Sequence, residues 1–316
     1  MTGDLQRTSD QPKNLSVPSG ATSPGWRRHL KERLTFLAFI APNFILFTIF
    51  TFWPIFFTAY LSLTDWNMIR LTRKMVGLQN YQQLFATPLF YKVVGITLLF
   101  AFTTVVIRMA ISLFLAMLLN QKIPGRSLFR GIIFSPHVTT TAAAAMVWVF
   151  VFDSNFGLLK WFLDIFNIRS PKWLSDPKWA IWAVIIVAIW KTIGFSTVVY
   201  LAGLQSVDKE LQEAALVDGA NAWHVFRHVT LPLLSPVTFF LMVTGIIGAL
   251  QTFDIVSVMT GGGPLESTKT YVFYLYETAF QQFRAGYASA LAMVFFVVIM
   301  AVTLFQTRMA RRWVHY

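Results

Sequence analysis

Residues 213–232 read EAALVDGANAWHVFRHVTLP, a polar, charge-bearing stretch between apolar segments at roughly 179–203 and 236–260. Each flank is about as long as the roughly 20 apolar residues that cross a bilayer as a helix. If the flanks are spans, the stretch between them is a water-facing connector and the chain is an all-α integral membrane protein. Working outward, four more apolar segments follow, at about 34–63, 93–119, 128–152 and 288–307, which makes six candidate spans. The first is uncharged over 30 residues and interrupted by Pro42 and Pro54, long enough to tilt or kink. The composition agrees: of 316 residues, 56% are hydrophobic and only 13% charged, against about 25% charged in soluble domains.

Three domains are expected from this pattern: a disordered tail over 1–33, rich in Ser, Thr, Pro, Gly and charge, a six-helix domain over 34–307, and a short basic tail over 308–316. The first apolar run exceeds a signal peptide's core, so it reads as a span rather than a cleaved leader. Lys and Arg set the orientation. With the N-terminus inside, the cytoplasmic segments carry fourteen of them and the outer loops ten, with Arg27, Arg28, Lys31 and Arg33 clustered just before the first span. Both termini and the 204–235 loop then lie in the cytoplasm. The net charge of +12 flanks apolar segments instead of forming one soluble basic face, so nucleic acid is not an expected partner, whereas membrane lipid is. The absence of cysteine excludes disulfides and thiol chemistry.

The 204–235 loop itself has helical punctuation. Ser206 can cap a helix whose first turn holds Asp208 and Glu210. Leu204, Val207, Leu211 and Ala214 or Ala215 recur at helical spacing. Gly219 can adopt the left-handed conformation that ends a helix. Asn221 can cap a second helix bearing Trp223, Phe226 and Val229, which Pro232 would stop. The loop's own physics leaves two readings open: an interfacial amphipathic connector, or a surface presented to a soluble partner.

The wording is more specific than the physics. The sequence EAA at 213–215, Gly219 after three intervening residues, and Leu231-Pro232 resembles the signature loop of binding-protein-dependent ABC importer permeases. The text IWKTIGFSTVVYLAGLQSVDKELQEAALVDGA at 189–220, FRGIIFSPHV at 129–138 and MTGGGP at 259–264 is similar to their carbohydrate-uptake group, which includes maltose, multiple-sugar and glycerol-3-phosphate permease subunits. The likeness covers roughly residues 33–312. No outer loop is long enough to match the large outer domain of one maltose permease subunit. The resemblance implies six transmembrane helices, a second homologous permease subunit, two cytoplasmic ATPase subunits and an extracytoplasmic solute-binding protein, in a bacterial inner membrane. It also implies that Glu213, Ala214, Ala215, Asp218, Gly219 and Ala220 couple to the ATPase. ATP and magnesium would sit on that partner, and this chain would bind no cofactor.

Nothing in the sequence contradicts a motorless subunit. There is no G-x-x-x-x-G-K-[ST] phosphate loop, and the glycines at 261–263 read as a turn. His224 and His228 are four apart, but the residues between them are Val225, Phe226 and Arg227. No HExxH glutamate is present, and Arg227 would repel a cation, so no metal site is expected. Two alternatives to the importer are an ion-gradient-driven secondary transporter, which would need repeats and a midplane carboxylate, and a membrane enzyme, which would need an acid–base pair or metal cluster at depth.

For the solute path, ionisable groups inside spans are the first candidates. Arg108 and Lys191 each lie twelve residues inside their helices, about 18 Å at roughly 1.5 Å per residue, and Asp254 lies near the outer end of the fifth span. Either cation can instead be structural, bonded to carbonyls between helices. A sugar or polyol solute favours aromatic faces beside amides and carboxylates, which adds Trp148, Gln251 and Phe253. Gln251 and Asp254 are three apart and are expected on one helix face. Two midplane cations also leave an anionic solute, glycerol-3-phosphate, open.

Overall fold

Apolar runs in a membrane give backbone N–H and C=O groups no partners but each other, so they form helices. The computed structural model describes residues 25–69 and 72–313. The chain divides into two units, residues 1–56 and 57–316.

In the first unit, α1 (Gly25–Phe47) leads through a π-helical turn (Thr48–Phe52) into the first residues of α2 (Trp53–Ser62), whose remainder belongs to the second unit. The π turn lies next to Pro54, whose ring cannot approach the carbonyl four residues back, and the wider turn makes that room. Apolar side chains here are exposed, Phe39 by 82%. Because α1 begins at Gly25, residues 25–33 are helical, although their composition reads as part of a disordered tail. Residues 1–24, including Arg7 and Lys13, lie outside the described residues, as do Arg70 and 314–316.

After the end of α2 the second unit has a two-stranded antiparallel ribbon, β1 (Thr64–Asp65) and β2 (Lys74–Met75), with Thr64 opposite Met75. There follow α3 (Gln79–Ala86), α4 (Pro88–Asn120), α5 (Arg126–Val138), α6 (Thr141–Val151), α7 (Leu158–Ile165) and α8 (Pro177–Ser206). Next come α9 (Lys209–Val217), α10 (Ala222–Val225), a π turn (Phe226–Thr230), α11 (Leu231–Leu233) and α12 (Ser235–Leu250). The chain closes with α13 (Asp254–Met259), α14 (Tyr271–Tyr276), a π turn (Glu277–Gln281) and α15 (Ala285–Trp313). The last helix therefore takes in residues 308–313 of the basic tail.

Four helical stretches are long and apolar enough to cross a membrane, and two bent pairs bring the number to six if each pair is one span. The bends correct the sequence reading in two places. The third candidate, 128–152, is not straight: α5 and α6 meet at 100°, across the extended residues Thr139 and Thr140 that follow Pro136. The fifth candidate, 236–260, stops at Leu250, and α13 starts separately at Asp254. Gln251 and Asp254 therefore do not share one continuous helix face.

The core is organised around α8. Of its membrane-length window 61% is buried, against 33% for α4 and 17% for α15. Small residues explain the position. Without a hydrophobic force between helices in lipid, close backbone approach holds them together, and α8 buries Ala180, Ala183, Ala188 and Gly194. A Cβ at Gly194 would lie 2.1 Å from the Ile133 carbonyl oxygen, so the α5 backbone presses directly on α8 there. The Ser112 hydroxyl of α4 donates to the Ile193 carbonyl at 3.1 Å on the other side. A second cluster, Ala116, Leu119, Tyr200, Leu201, Leu204, Val207, Leu234 and Leu241, ties together the ends of α4, α8 and α12 nearest the α9–α10 loop.

Candidate functional site

The segment between α8 and α12 forms an elbow. Helix α8 runs through Ser206, whose hydroxyl donates to the Gly203 carbonyl at 2.8 Å, so Ser206 does not cap the next helix. Asp208 does: its Oδ1 accepts from the Glu210 N–H at 2.9 Å, and Glu210 adds a negative charge to the first turn of α9. The helix closes with the Ala220 N–H on the Ala215 carbonyl at 3.0 Å, while Gly219 takes φ +88°, the left-handed geometry that lets a chain leave a helix. Asn221 Oδ1 then caps α10 through the His224 N–H at 2.8 Å. Pro232 does not stop this second helix. The π turn at Phe226–Thr230 precedes it and the helical path continues to Leu233. The 62° break falls at Leu234, ahead of Pro236.

The elbow has two contrasting sides. Leu204 and Val207, expected on the same face as Leu211, instead enter the core cluster with Leu234, and Val225 and Thr230 are also buried. On the other side Leu211, Leu216, Val217 and Trp223 are exposed, Val217 by 88%. Glu213, Ala214, Asp218 and Gly219 are exposed beside them, with Ala215 and Ala220 half-buried. Nothing lies within 4 Å of where a Cβ at Gly219 would be. The elbow is thus an uncovered surface mixing apolar, acidic and small residues, anchored at its base to three helices. His224 and His228 stack at 4.9 Å between ring centroids, and no group of three or more metal-ligating side chains occurs among the described residues.

The intramembrane candidates separate into distinct environments. Lys191 is buried, and its Nζ donates to the carbonyls of Pro136, His137 and Thr139 at 2.8, 2.9 and 2.6 Å. Helix ends leave carbonyls without intrahelical partners, so this ammonium satisfies the broken end of α5. Trp148 packs edge-on against Trp190 at 5.4 Å and tilts over Phe152 at 5.3 Å. Phe253 lies between Phe273 and Tyr276, at 6.1 and 4.9 Å. Gln251 and Asp254 are exposed at the α12–α13 break.

Arg108 is different. It is 8% exposed, its Nη2 donates to the Leu241 carbonyl at 3.2 Å, and its Nε has no hydrogen-bond partner. No carboxylate pairs with it among the described residues. Its guanidinium lies where α12 has Gly245: a Cβ there would be 1.9 Å from Nη2. Arg108 also lines a cavity of about 150 Å³ with Thr104, Thr192, Gly248 and Thr252. The structure therefore brings Arg108 next to Thr192 and Thr252, the neighbours of Lys191 and Gln251, rather than to Lys191 and Gln251 themselves. Sequence reasoning missed the three threonines because Thr in apolar helices commonly bonds its own backbone and carries no distinctive pattern.

At the end of the unit away from the elbow, the turn through Gly261 and Gly262 adopts positive φ and is closed by the Thr268 hydroxyl, which donates to the Gly263 carbonyl at 2.8 Å. Lys269 beside it is buried and pairs with Glu277 at 2.7 Å. No sequence signal singled out that pair.

Comparison with known proteins agrees with this architecture. Residues 109–315 match the family described as binding-protein-dependent transport system inner membrane component. The sn-glycerol-3-phosphate transport system permease protein UgpA of Agrobacterium fabrum is 33% identical over 278 residues, 88% of this chain and 94% of that protein. The trehalose/maltose transport system permease protein MalF of Thermococcus litoralis is 32% identical over 272 residues, 86% of this chain and 92% of that protein. Among solved structures, a chain of a bacterial ABC transporter involved in the import of the acidic polysaccharide alginate superposes with a TM-score of 0.78 at 24% identity, covering 92% of this chain and 99% of that one. A chain of a bacterial alginate ABC transporter in complex with alginate pentasaccharide-bound periplasmic protein gives 0.78 at 24% identity, over 90% and 96%.

Proposed function

The chain belongs to the family of binding-protein-dependent transport system inner membrane components, and on that premise we propose that it is the permease subunit of an ATP-driven importer of a sugar or related polyol. In this reading it pairs with a second, homologous permease. Two cytoplasmic ATPase subunits grip the elbow through Glu213, Ala214, Ala215, Asp218, Gly219 and Ala220. An external binding protein delivers the solute, a role supported by the alginate transporter's complex with a pentasaccharide-bound periplasmic protein. Both termini face the cytoplasm. The relatives named for sn-glycerol-3-phosphate and for trehalose/maltose support a hydroxylated solute.

The observation that carries this reading is the elbow's two-sidedness. An exposed leucine, valine and tryptophan surface interleaved with acids is what a soluble partner can cover, with Glu213 and Asp218 available to its Arg or Lys groups. The elbow's base is locked into the core at Leu204, Val207 and Leu234. Its exit is helical through Leu233, so a push on α9 would pass to the 62° joint and then to α12. Helix α12 carries Leu241 and Gly245, which touch Arg108 on α4. Motion of the elbow would thereby reach the middle of the helices, and alternating access would follow.

Proline cannot adopt φ +88°, since its ring fixes φ near about −65°. Gly219→Pro and Glu213→Lys are therefore expected to reduce solute-stimulated ATPase activity of the assembled transporter by at least about 10-fold, the scale of one lost buried charge pair or broken docking helix, while membrane insertion is retained. Wild-type coupling in both variants would rule out the elbow as the contact.

A further inference from the structure

We propose that the Arg108 cavity is a subsite for the anionic group of a small hydroxylated solute, a phosphate ester or a carboxylate. The inference rests on the importer reading above and adds the chemical class that this subunit selects.

Four observations converge on it. First, a cation in the middle of a membrane-length helix costs about 2.5–3.5 kcal/mol to insert, and the usual compensation is a carboxylate or several carbonyls. Lys191 has three carbonyls. Arg108 has one, at 3.2 Å, and its Nε–H has none. Second, Thr104, one turn away on the same face of α4, is likewise buried with a hydroxyl that no protein group partners. Both residues line the same cavity, and each carries a buried donor that no protein group fills. Third, the remaining hydroxyls are committed: Thr192 donates to the Ala188 carbonyl at 2.7 Å and Thr252 to the Gly248 carbonyl at 3.4 Å. They can offer a ligand only lone pairs, which suit the hydroxyl groups of a polyol. The lining thus presents donors at the cationic end and acceptors around it.

The fourth observation is size. Ligand pockets generally enclose about 300–1,000 Å³, and this cavity measures about 150 Å³. It holds one group of a solute rather than a whole disaccharide. Glycine makes the wall: Gly245 leaves the space that the guanidinium fills, and nothing lies within 4 Å of a Cβ position at Gly248, which leaves that side open. A guanidinium with free N–H groups recognises phosphate and carboxylate oxygens better than an ammonium does, because its donors are fixed in a planar fork.

The test uses the assembled transporter, purified with its partner permease and ATPase subunits, and measures direct binding and ATP-driven uptake. The anionic probes are sn-glycerol 3-phosphate and glucuronate, with glycerol and glucose as their neutral counterparts. The wild type is expected to bind one of the anions more tightly than its neutral counterpart, and which anion it is distinguishes a phosphate ester from a carboxylate. Arg108→Gln is expected to weaken that anion by at least about 10-fold, the effect of one charge-assisted hydrogen bond, and Arg108→Lys to recover part of the loss. Thr104→Val, which removes one hydroxyl without touching the charge, is expected to weaken the anion several-fold and leave neutral probes unchanged. It decides the matter if the Arg108 variants fail to assemble. The proposal is overturned if the wild type shows no preference for either anion, if the anion binds Arg108→Gln or Thr104→Val as it binds the wild type, or if anionic and neutral probes weaken alike. ATP-driven uptake of a neutral sugar with no anion preference would sink this inference and leave the importer reading standing, whereas uptake indifferent to ATP would sink the importer reading itself.

Discussion

Lys191 and Arg108 are both cations buried inside neighbouring membrane-length helices, yet they sit in opposite conditions. Lys191 fills three carbonyls at the broken end of α5 and has no capacity left for a ligand. Arg108 has a single carbonyl and a buried, unpartnered Nε–H, and its side chain lines a cavity. A buried charge by itself therefore says little about function. What matters is the hydrogen-bonding capacity that the fold leaves unused, because a saturated cation holds structure and an unsaturated one can hold something else.

The largest expected effect that would break this contrast lies at Lys191. Lys191→Met removes a charged donor from three carbonyls at the break, of which that of Pro136 keeps a second partner, the Thr139 hydroxyl at 2.8 Å. Charged hydrogen bonds contribute about 1.5–3 kcal/mol each in water-soluble proteins, but hydrogen bonds inside membrane proteins average about 0.6 kcal/mol. A total loss of about 2–4 kcal/mol is therefore expected from these two scales, read as a fall in the midpoint of thermal unfolding in detergent. A midpoint unchanged from wild type would show that Lys191 is not the clamp of the α5–α6 bend.

A paired glycine comparison sharpens the contrast further. At Gly194 an added methyl meets the α5 backbone at Ile133, which cannot swing away. At Gly245 it meets the far end of the Arg108 side chain, which can. Gly194→Ala is expected to destabilise by about 2–3 kcal/mol, at the upper end of overpacking effects, and Gly245→Ala by about 1 kcal/mol or less. Equal losses in unfolding experiments would mean that the guanidinium is held as rigidly as a backbone.

The smallest effect is expected at Arg108 itself. Arg108→Met gives up one hydrogen bond and removes a desolvated charge, so stability should change by less than about 1 kcal/mol in either direction. A loss as large as that for Lys191→Met would make the two cations alike and return Arg108 to a structural role.

Much of this was legible in the residues. The elbow's punctuation came through at Gly219 and Asn221, both of which do what their chemistry suggests. Its start did not, because Ser206 and Asp208 are both competent caps and only the length of α8 chooses between them. The apolar runs marked the helical stretches long and apolar enough to cross a membrane, but not the 100° break in the third or the end of the fifth at Leu250. Pro136 is compatible with a kinked helix or a broken one, and the outcome depends on a lysine 55 residues later that supplies the missing donors. Trp148 and Phe253 were singled out as aromatics, but stacking against other rings is a property of their neighbours that spacing cannot show.

By itself the sequence determined that the chain is helical and lies in a membrane, where the polar connector falls, and which family it resembles. Those features follow from local composition, from backbone groups that must pair within a segment, and from a short distinctive motif. Only the tertiary structure decided which side of the elbow is uncovered and which of two buried cations is spent. Burial and hydrogen-bond saturation depend on partners contributed by distant helices, and no periodicity within one segment records them.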